Sequence, residues 1–406
     1  MRSFILNENE MNEMAKRQPT PFLMLSVDRV AENYAFLRKH LPRAGIYYAI
    51  KANPHPRVLE RLFVLGSHFD VASAGEMEML HAIGVDGSRM IYANPVHDAR
   101  GFSAASRLDV RRFTFDDASE IPKLAAAAPG ADVLVRVQVH NSKALVDLNT
   151  KFGAPFDKAL PLLRKAEQSG LHAKGICFHV GSQSLSTAAY EEALLLVHHL
   201  FLEAEASGMH LTDLDIGGGF PIPSAEGLHV DLAAMLEAIN RQLDRLFPHT
   251  AVWTEPGRFL CGTAMNLVTS VIGTKQRGDI PWYILDEGIY GVFSGILFDH
   301  WEYPLHCFGK GRKVPSTFAG PSCDGIDVLY RDFPAPKLPI GAKVLVSDIG
   351  ATTPTTTAAT RYSTSSPPPS SSGRTRPTSS PRAARPAKPI KHPSHALRRC
   401  PDIRTG

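Results

Sequence analysis

Between residues 45 and 256, short apolar runs rich in β-branched and aromatic residues alternate with stretches of helical period, the pattern of repeated βα units. Eight such runs occur: Ile46–Lys51, His68–Ser73, Met90–Asn94, Phe113–Asp116, Val133–Val139, Gly175–Val180, Leu214–Gly217 and Val252–Glu255. Helical stretches such as Arg57–Leu65 and Glu76–Ile83 separate them. Eight units can close a (β/α)8 TIM barrel, whose active site lies at the carboxyl ends of its strands. After residue 265 the period changes. The runs Leu267–Thr274, Trp282–Leu285, Val292–Phe298, Thr317–Ala319 and Lys343–Val346 follow without long helical stretches between them, predicting a β-sandwich or barrel-like domain. Phe22–Ser26 can lend that domain a strand, which makes the barrel, residues 27–265, an insertion between residues 1–26 and 266–350.

The carboxyl ends of the runs carry Lys51, Asp70 with Ser73, Asn94, Arg136, His179 with Ser182, Gly217-Gly218-Gly219, and Glu255 with Arg258. A barrel built for stability alone would scatter such groups over both ends. Lys51 sits where an apolar strand meets the breaker Ala52-Asn53-Pro54-His55-Pro56. A desolvated lysine there can lose its proton and form a Schiff base, although an edge lysine also keeps a sheet soluble. The three glycines let backbone N–H groups approach an oxyanion such as phosphate, or simply make a tight turn. Arg258 offers such an anion a bidentate charge and Ser182 a hydroxyl. Glu255 can pair with a pyridine nitrogen or with Arg258, and His179 can stack on a cofactor ring or sit satisfied in the core. Cys323, in the polar loop Gly320-Pro321-Ser322-Cys323-Asp324-Gly325, reads as exposed enough to react. Tyr290 and Asp299 are polar interruptions of an apolar stretch. No histidine or cysteine spacing points to a metal.

With 406 residues and 44% hydrophobic content the chain can bury a large core. No apolar run reaches the roughly 18 residues that span a bilayer, and Glu8, Glu10, Glu13 and Lys16 interrupt the first 29 residues. The five cysteines are odd in number and scattered, which suits a reducing compartment and makes the cytoplasm the expected location. The net charge of +4 is uneven: residues 351–406 hold ten Lys/Arg against one acid. The rest is mildly acidic and carries no nucleic-acid footprint.

Taken together, these residues resemble the fold type III pyridoxal-phosphate decarboxylases of basic amino acids, the ornithine/lysine decarboxylase family. The resemblance runs from about Phe22 to Gly350. It rests on Tyr48-Ala49-Ile50-Lys51-Ala52-Asn53-Pro54, Phe69-Asp70-Val71-Ala72-Ser73, Lys151-Phe152-Gly153, His179-Val180-Gly181-Ser182, Asp215-Ile216-Gly217-Gly218-Gly219-Phe220-Pro221, Glu255-Pro256-Gly257-Arg258 and Cys323-Asp324-Gly325. It implies that Lys51 forms the Schiff base with pyridoxal 5'-phosphate, His179 stacks on the ring and Glu255 pairs with its nitrogen. It places the phosphate on Gly217, Gly218 and Gly219 with Ser182 and Arg258, and makes Asp70 and Arg136 the polar support. Substrate would meet Asp299, Asp324 and Tyr290, with Asp299 receiving a distal ammonium. Cys323, reaching into a partner's site, would take part in reprotonation. A homodimer with two shared active sites is therefore implied, decarboxylating L-ornithine to putrescine, with lysine, one methylene longer, as an alternative or additional substrate.

The chain departs from the family pattern after Val344-Leu345-Val346. Asp348-Ile349-Gly350-Ala351 is followed by Thr352 where the family carries a tyrosine that contacts the phosphate. Residues 351–406 are rich in Pro, Ser, Thr and Arg, a composition expected to stay disordered. A switch of composition inside a motif suggests a shift of reading frame, and it leaves a catalytically impaired relative as the rival to an active decarboxylase.

Overall fold

The computed structural model describes residues 2–139, 150–223 and 230–351 and the backbone of 361–364. Eight parallel strands close a barrel in sequence order. They are β2 (Ala44–Ala49), β3 (His68–Val71), β4 (Met90–Tyr92), β5 (Arg112–Phe115), β6 (Asp132–Val137), β7 (His172–Phe178), β8 (Asp213–Asp215) and β9 (Ala251–Thr254). Closure is made by β2 against β9, where Ala44, Gly45 and Ile46 pair with Val252, Trp253 and Thr254. Alternation along the strands explains the layers. Tyr47, Ile91, Leu134, Cys177 and Trp253 cluster with one another, whereas neighbours such as Tyr48 and Val133 join the larger core shared with the helices.

The strands end sooner than the apolar runs predict, and after β2 and β3 the early end has a visible local cause. Asn53 Oδ1 accepts from His55 N at 3.0 Å and Asn53 Nδ2 donates to Gly350 O at 2.9 Å, which turns the chain after β2 into the single 3-10 turn Ile50–Ala52. Pro56 then opens a helix, Pro56–Val64, capped by His55. Ser73, expected among the polar strand ends, is the N-cap of helix Ala74–Ala82 and accepts from Glu76 N.

The second part is an eight-stranded, mostly antiparallel sheet. Its centre is β10 (Met265–Arg277), which pairs with β1 (Phe22–Leu25), β11 (Ile280–Leu285) and β15 (Lys343–Val346). The predicted loan of an N-terminal strand is thus realised by β1. Beyond them lie β12 (Leu305–Cys307), β13 (Val314–Ala319) and β14 (Val328–Ala335). Neither β12 nor β14 is read from the sequence, since β12 is three residues long and β14 exposes Arg331, Asp332 and Pro334 among its apolar positions. Val292–Phe298, expected as a strand, is instead a 3-10 turn, Val292–Ser294, followed by the short helix Gly295–Phe298. The Glu287 carboxylate draws it into a turn by accepting from both Gly288 N and Val292 N.

Four residues of the tail carry regular backbone: β16 (Arg361–Thr364) adds a parallel strand to β1, a correction to the expectation of a wholly structureless tail. The rest of the tail beyond Ala351 lies outside the described residues. Among the described residues no helix is long and apolar enough to cross a membrane.

Candidate active site

At the carboxyl end of the barrel a cavity of about 370 Å³ is lined by Lys51, His179, Ser182, Gly219, Glu255, Arg258 and Asp299. Small-molecule sites are typically about 300–1,000 Å³. Lys51 reaches it from the 3-10 turn after β2, its side chain 63% accessible from the cavity. Its Nζ donates to Asp70 Oδ2 at 3.2 Å, and Asp70 lies at the end of β3 with its side chain 1% exposed. The Asp70 charge, with burial opposing and Glu255 assisting, raises the Lys51 amine above its ordinary value. A desolvated lysine at this position could lose its proton, but here the neighbouring Asp70 charge holds the amine protonated. Close by, burial pushes the Glu76 carboxyl up to about 7 while its Oε2 accepts from Ala72 N at 2.6 Å.

His179 follows β7. Gly181 N donates to its Nδ1 at 2.9 Å, which assigns the ring proton to Nε2. Burial, helped by the charges of Arg136 and Lys51, holds the imidazole well below its ordinary range and keeps it neutral. The glycine segment lies against this ring: a Cβ on Gly218 or Gly219 would stand 3.4 Å from His179 Nε2 or Cε1. Gly217 and Gly219 adopt φ of +64° and +100°, where a side chain is strained, and Cβ atoms at all three positions would run into carbonyls of Phe178, Glu255 and Gly181. Three carbonyls are tied inward. Gly217 O accepts from Glu255 N at 2.8 Å, Gly218 O from the Tyr190 hydroxyl at 2.8 Å and Gly219 O from Ser184 N at 2.8 Å.

Glu255 directly follows β9 and lies beside Asp215, the last residue of β8, which reads from the sequence as an ordinary strand residue. Asp215 is 1% exposed and its carboxyl is hydrogen-bonded to that of Glu255. Burial pushes the Asp215 carboxyl up to about 7, and burial first, then the charges of Asp215 and Asp70, hold that of Glu255 well above its ordinary range. A charged residue at the end of a barrel strand was the available signal for Asp215. Glu255 Oε1 is buried with no hydrogen-bond partner, as are Arg136 Nε and Nη2, although the Arg136 guanidinium lies 5.5 Å from the Phe152 ring. Buried groups left so are costly unless something polar completes them.

Arg258 opens the turn of helix after β9, and its Nη2 is 2.5 Å from Asp299 Oδ2. Among the described residues the ion pair of Arg258 is with Asp299 rather than with Glu255. The two residues expected to take a phosphate and a substrate ammonium are both on the cavity wall and are joined to each other. Cys323, Asp324 and Tyr290 are absent from that wall. Cys323 is exposed, and the Tyr290 hydroxyl donates to Asp324 on the same exposed face of the β-sheet part.

Residues 27–262 match the family described as "Pyridoxal-dependent decarboxylase, pyridoxal binding domain". The lysine/ornithine decarboxylase of Selenomonas ruminantium is 73% identical over 353 residues, covering 87% of this chain and 90% of that protein. A crystal structure of lysine decarboxylase from the same organism superposes with a TM-score of 0.84 at 73% identity, over 87% of this chain and 92% of the other. The Vibrio vulnificus lysine/ornithine decarboxylase complexed with cadaverine gives 0.80 at 33% identity, over 86% and 94%. The residues fit the cofactor these names imply: an amine for an aldehyde, orphaned Glu255 Oε1 for a ring nitrogen, a neutral imidazole, and Gly219 with Ser182 and Arg258 on the same cavity wall for a phosphate. The chain belongs to the pyridoxal-phosphate-dependent decarboxylases of basic amino acids.

Proposed function

We propose that this decarboxylase converts L-ornithine to putrescine and carbon dioxide and accepts L-lysine as well. The observation that carries the reading is an acid, Asp299, on the wall of the cavity that holds Lys51. A carboxylate there suits an ammonium tail and repels the second carboxylate of diaminopimelate. One methylene between ornithine and lysine is worth only about 1–3 kcal/mol in a simple pocket. The 73% identity to a protein named for both substrates supports the same breadth.

Bound in this cavity, pyridoxal phosphate supplies an aldehyde and a ring able to take up the electron pair that a departing carboxylate leaves behind. Lys51 would hold the aldehyde, and Asp70 Oδ2 at 3.2 Å can take and return its Nζ proton. Glu255 and Asp215 keep a proton on the side of the ring nitrogen, while His179, neutral and fixed by Gly181 N, offers a flat face. Gly217 to Gly219, Ser182 and Arg258 would receive the phosphate, with Arg136 in support.

The group that returns a proton to the α-carbon must come from elsewhere, because Cys323 is exposed and off the cavity wall. A homodimer with shared sites resolves this, a second copy bringing Cys323 with Asp324 and Tyr290. The same part of the chain exposes Phe298 at 73%, Tyr290 at 58% and Ile326 at 56%, apolar area suited to burial against a partner. The rival reading, an impaired relative, rests on Thr352 standing where the family pattern has tyrosine.

One experiment addresses both. The purified chain with added pyridoxal phosphate is expected to show the absorbance of a lysine-bound cofactor and to release carbon dioxide from ornithine and lysine with kcat/KM values within roughly 10–200-fold of each other. Absence of that absorbance, or a preference for diaminopimelate, refutes the proposal.

A further inference from the structure

Asp299 is assigned above to the substrate, yet its observed partner is Arg258, with side chains only 10% and 18% exposed for the arginine and the acid. The contact uses one edge of the guanidinium, Nη2, and one carboxylate oxygen, Oδ2. A guanidinium has further N–H groups and a carboxylate a second oxygen, so each can serve another partner at the same time. The arginine is gripped from a second direction by Trp301, its Cζ 5.4 Å from the indole centroid. Asp299 and Trp301 are themselves set by one atom: their backbone N–H groups both donate to the Gly295 carbonyl, each at 3.0 Å. That carbonyl belongs to the short helix Gly295–Phe298, on a different part of the chain from the helix Arg258–Cys261 that carries the arginine.

A free arginine side chain loses rotamer freedom when a ligand immobilises it. Here that freedom is already restricted by an acid and an aromatic ring, and Arg258 lines the same cavity as Ser182 and Gly219. Such preorganisation strengthens binding of whatever anion the arginine meets. We infer that Asp299 is a positioning residue for the cofactor's phosphate, acting through Arg258, in addition to facing the substrate tail. The inference rests on the reading that Arg258 faces that phosphate. It also means that the acid selecting the substrate and the arginine anchoring the cofactor are one mechanical unit.

The test titrates apoprotein with pyridoxal 5'-phosphate and with pyridoxal, probes that differ only in the phosphate, and reads affinity from absorbance without substrate. In the wild type the ratio of the two affinities measures what the phosphate contributes. Asp299→Asn is expected to lower that ratio about tenfold, as weakening of one charge-assisted contact would, and to leave pyridoxal affinity unchanged. Arg258→Ala should lower it at least as far, and the double variant no further than Arg258→Ala alone, because the acid acts only through the arginine. An unchanged ratio in Asp299→Asn overturns the inference. Equal loss for both probes also overturns it, since that reports general loosening of the cavity. If Arg258→Ala keeps the ratio, the phosphate reading of Arg258 falls and the inference with it. If Arg258→Ala loses the ratio and Asp299→Asn keeps it, the inference alone falls.

Discussion

Replacing Asp215 by asparagine tests whether the acid pair under the cavity is a destabilised device or an ordinary buried contact. Asn is nearly isosteric, and its carbonyl oxygen can still accept from Gly217 N, a bond of 2.8 Å in the parent. What it removes is titration. Unfolded, Asp215 gives up its proton near its ordinary 3.8; folded, burial delays that to about 7. In the interval the folded state binds more protons, so a stabilising contribution complete below about pH 4 is lost as pH rises towards 7. The whole interval corresponds to roughly 4 kcal/mol at about 1.4 kcal/mol per pH unit. Between pH 5 and pH 7 the wild-type apoprotein should therefore lose up to ~3 kcal/mol that Asp215→Asn keeps. Urea unfolding followed by tryptophan fluorescence reads this, since Trp253 is 4% exposed within the barrel beside Asp215. Unfolding midpoints that fall in parallel for both proteins would refute the raised titration of Asp215.

Lys51→Ala should abolish the lysine-bound cofactor absorbance and cut turnover by a factor of roughly 10³ or more, measured as carbon dioxide release; retention of that absorbance would move the Schiff base to another lysine. Gly219→Ala places a Cβ against the Gly181 carbonyl at φ +100°. It should cost about 1–3 kcal/mol in thermal stability together with cofactor affinity, and an unshifted melting curve would contradict it. Mixing inactive Lys51→Ala with inactive Cys323→Ala should restore about a quarter of wild-type activity by random pairing if sites are shared between two copies. No recovery after verified subunit exchange would refute the sharing of sites between copies.

Alternation of apolar strands and helical stretches was enough to predict the closed barrel, because βα period is a local property of neighbouring residues. The strands' polar ends and the motifs around Lys51, Gly217 to Gly219 and Glu255 pointed to the cofactor for a similar reason, each being a short contiguous piece whose chemistry travels with it. Less local matters were misread. Val292–Phe298 is apolar enough for a strand, yet the Glu287 carboxylate five residues earlier bends it into turns. Burial of Lys51 alone would favour the neutral amine, and Asp70, 19 residues away in the chain and 3.2 Å away in space, reverses the sign. Asp215 passed as a strand residue until β8 and β9 set it beside Glu255. The Arg258–Asp299 pair spans 41 residues and joins the barrel to the sheet. Pattern and motif determine which groups reach the barrel's carboxyl end, since backbone geometry follows local sequence. Which of those groups face one another, and hence which keep their protons, is decided by electrostatics at distances that only the folded chain establishes.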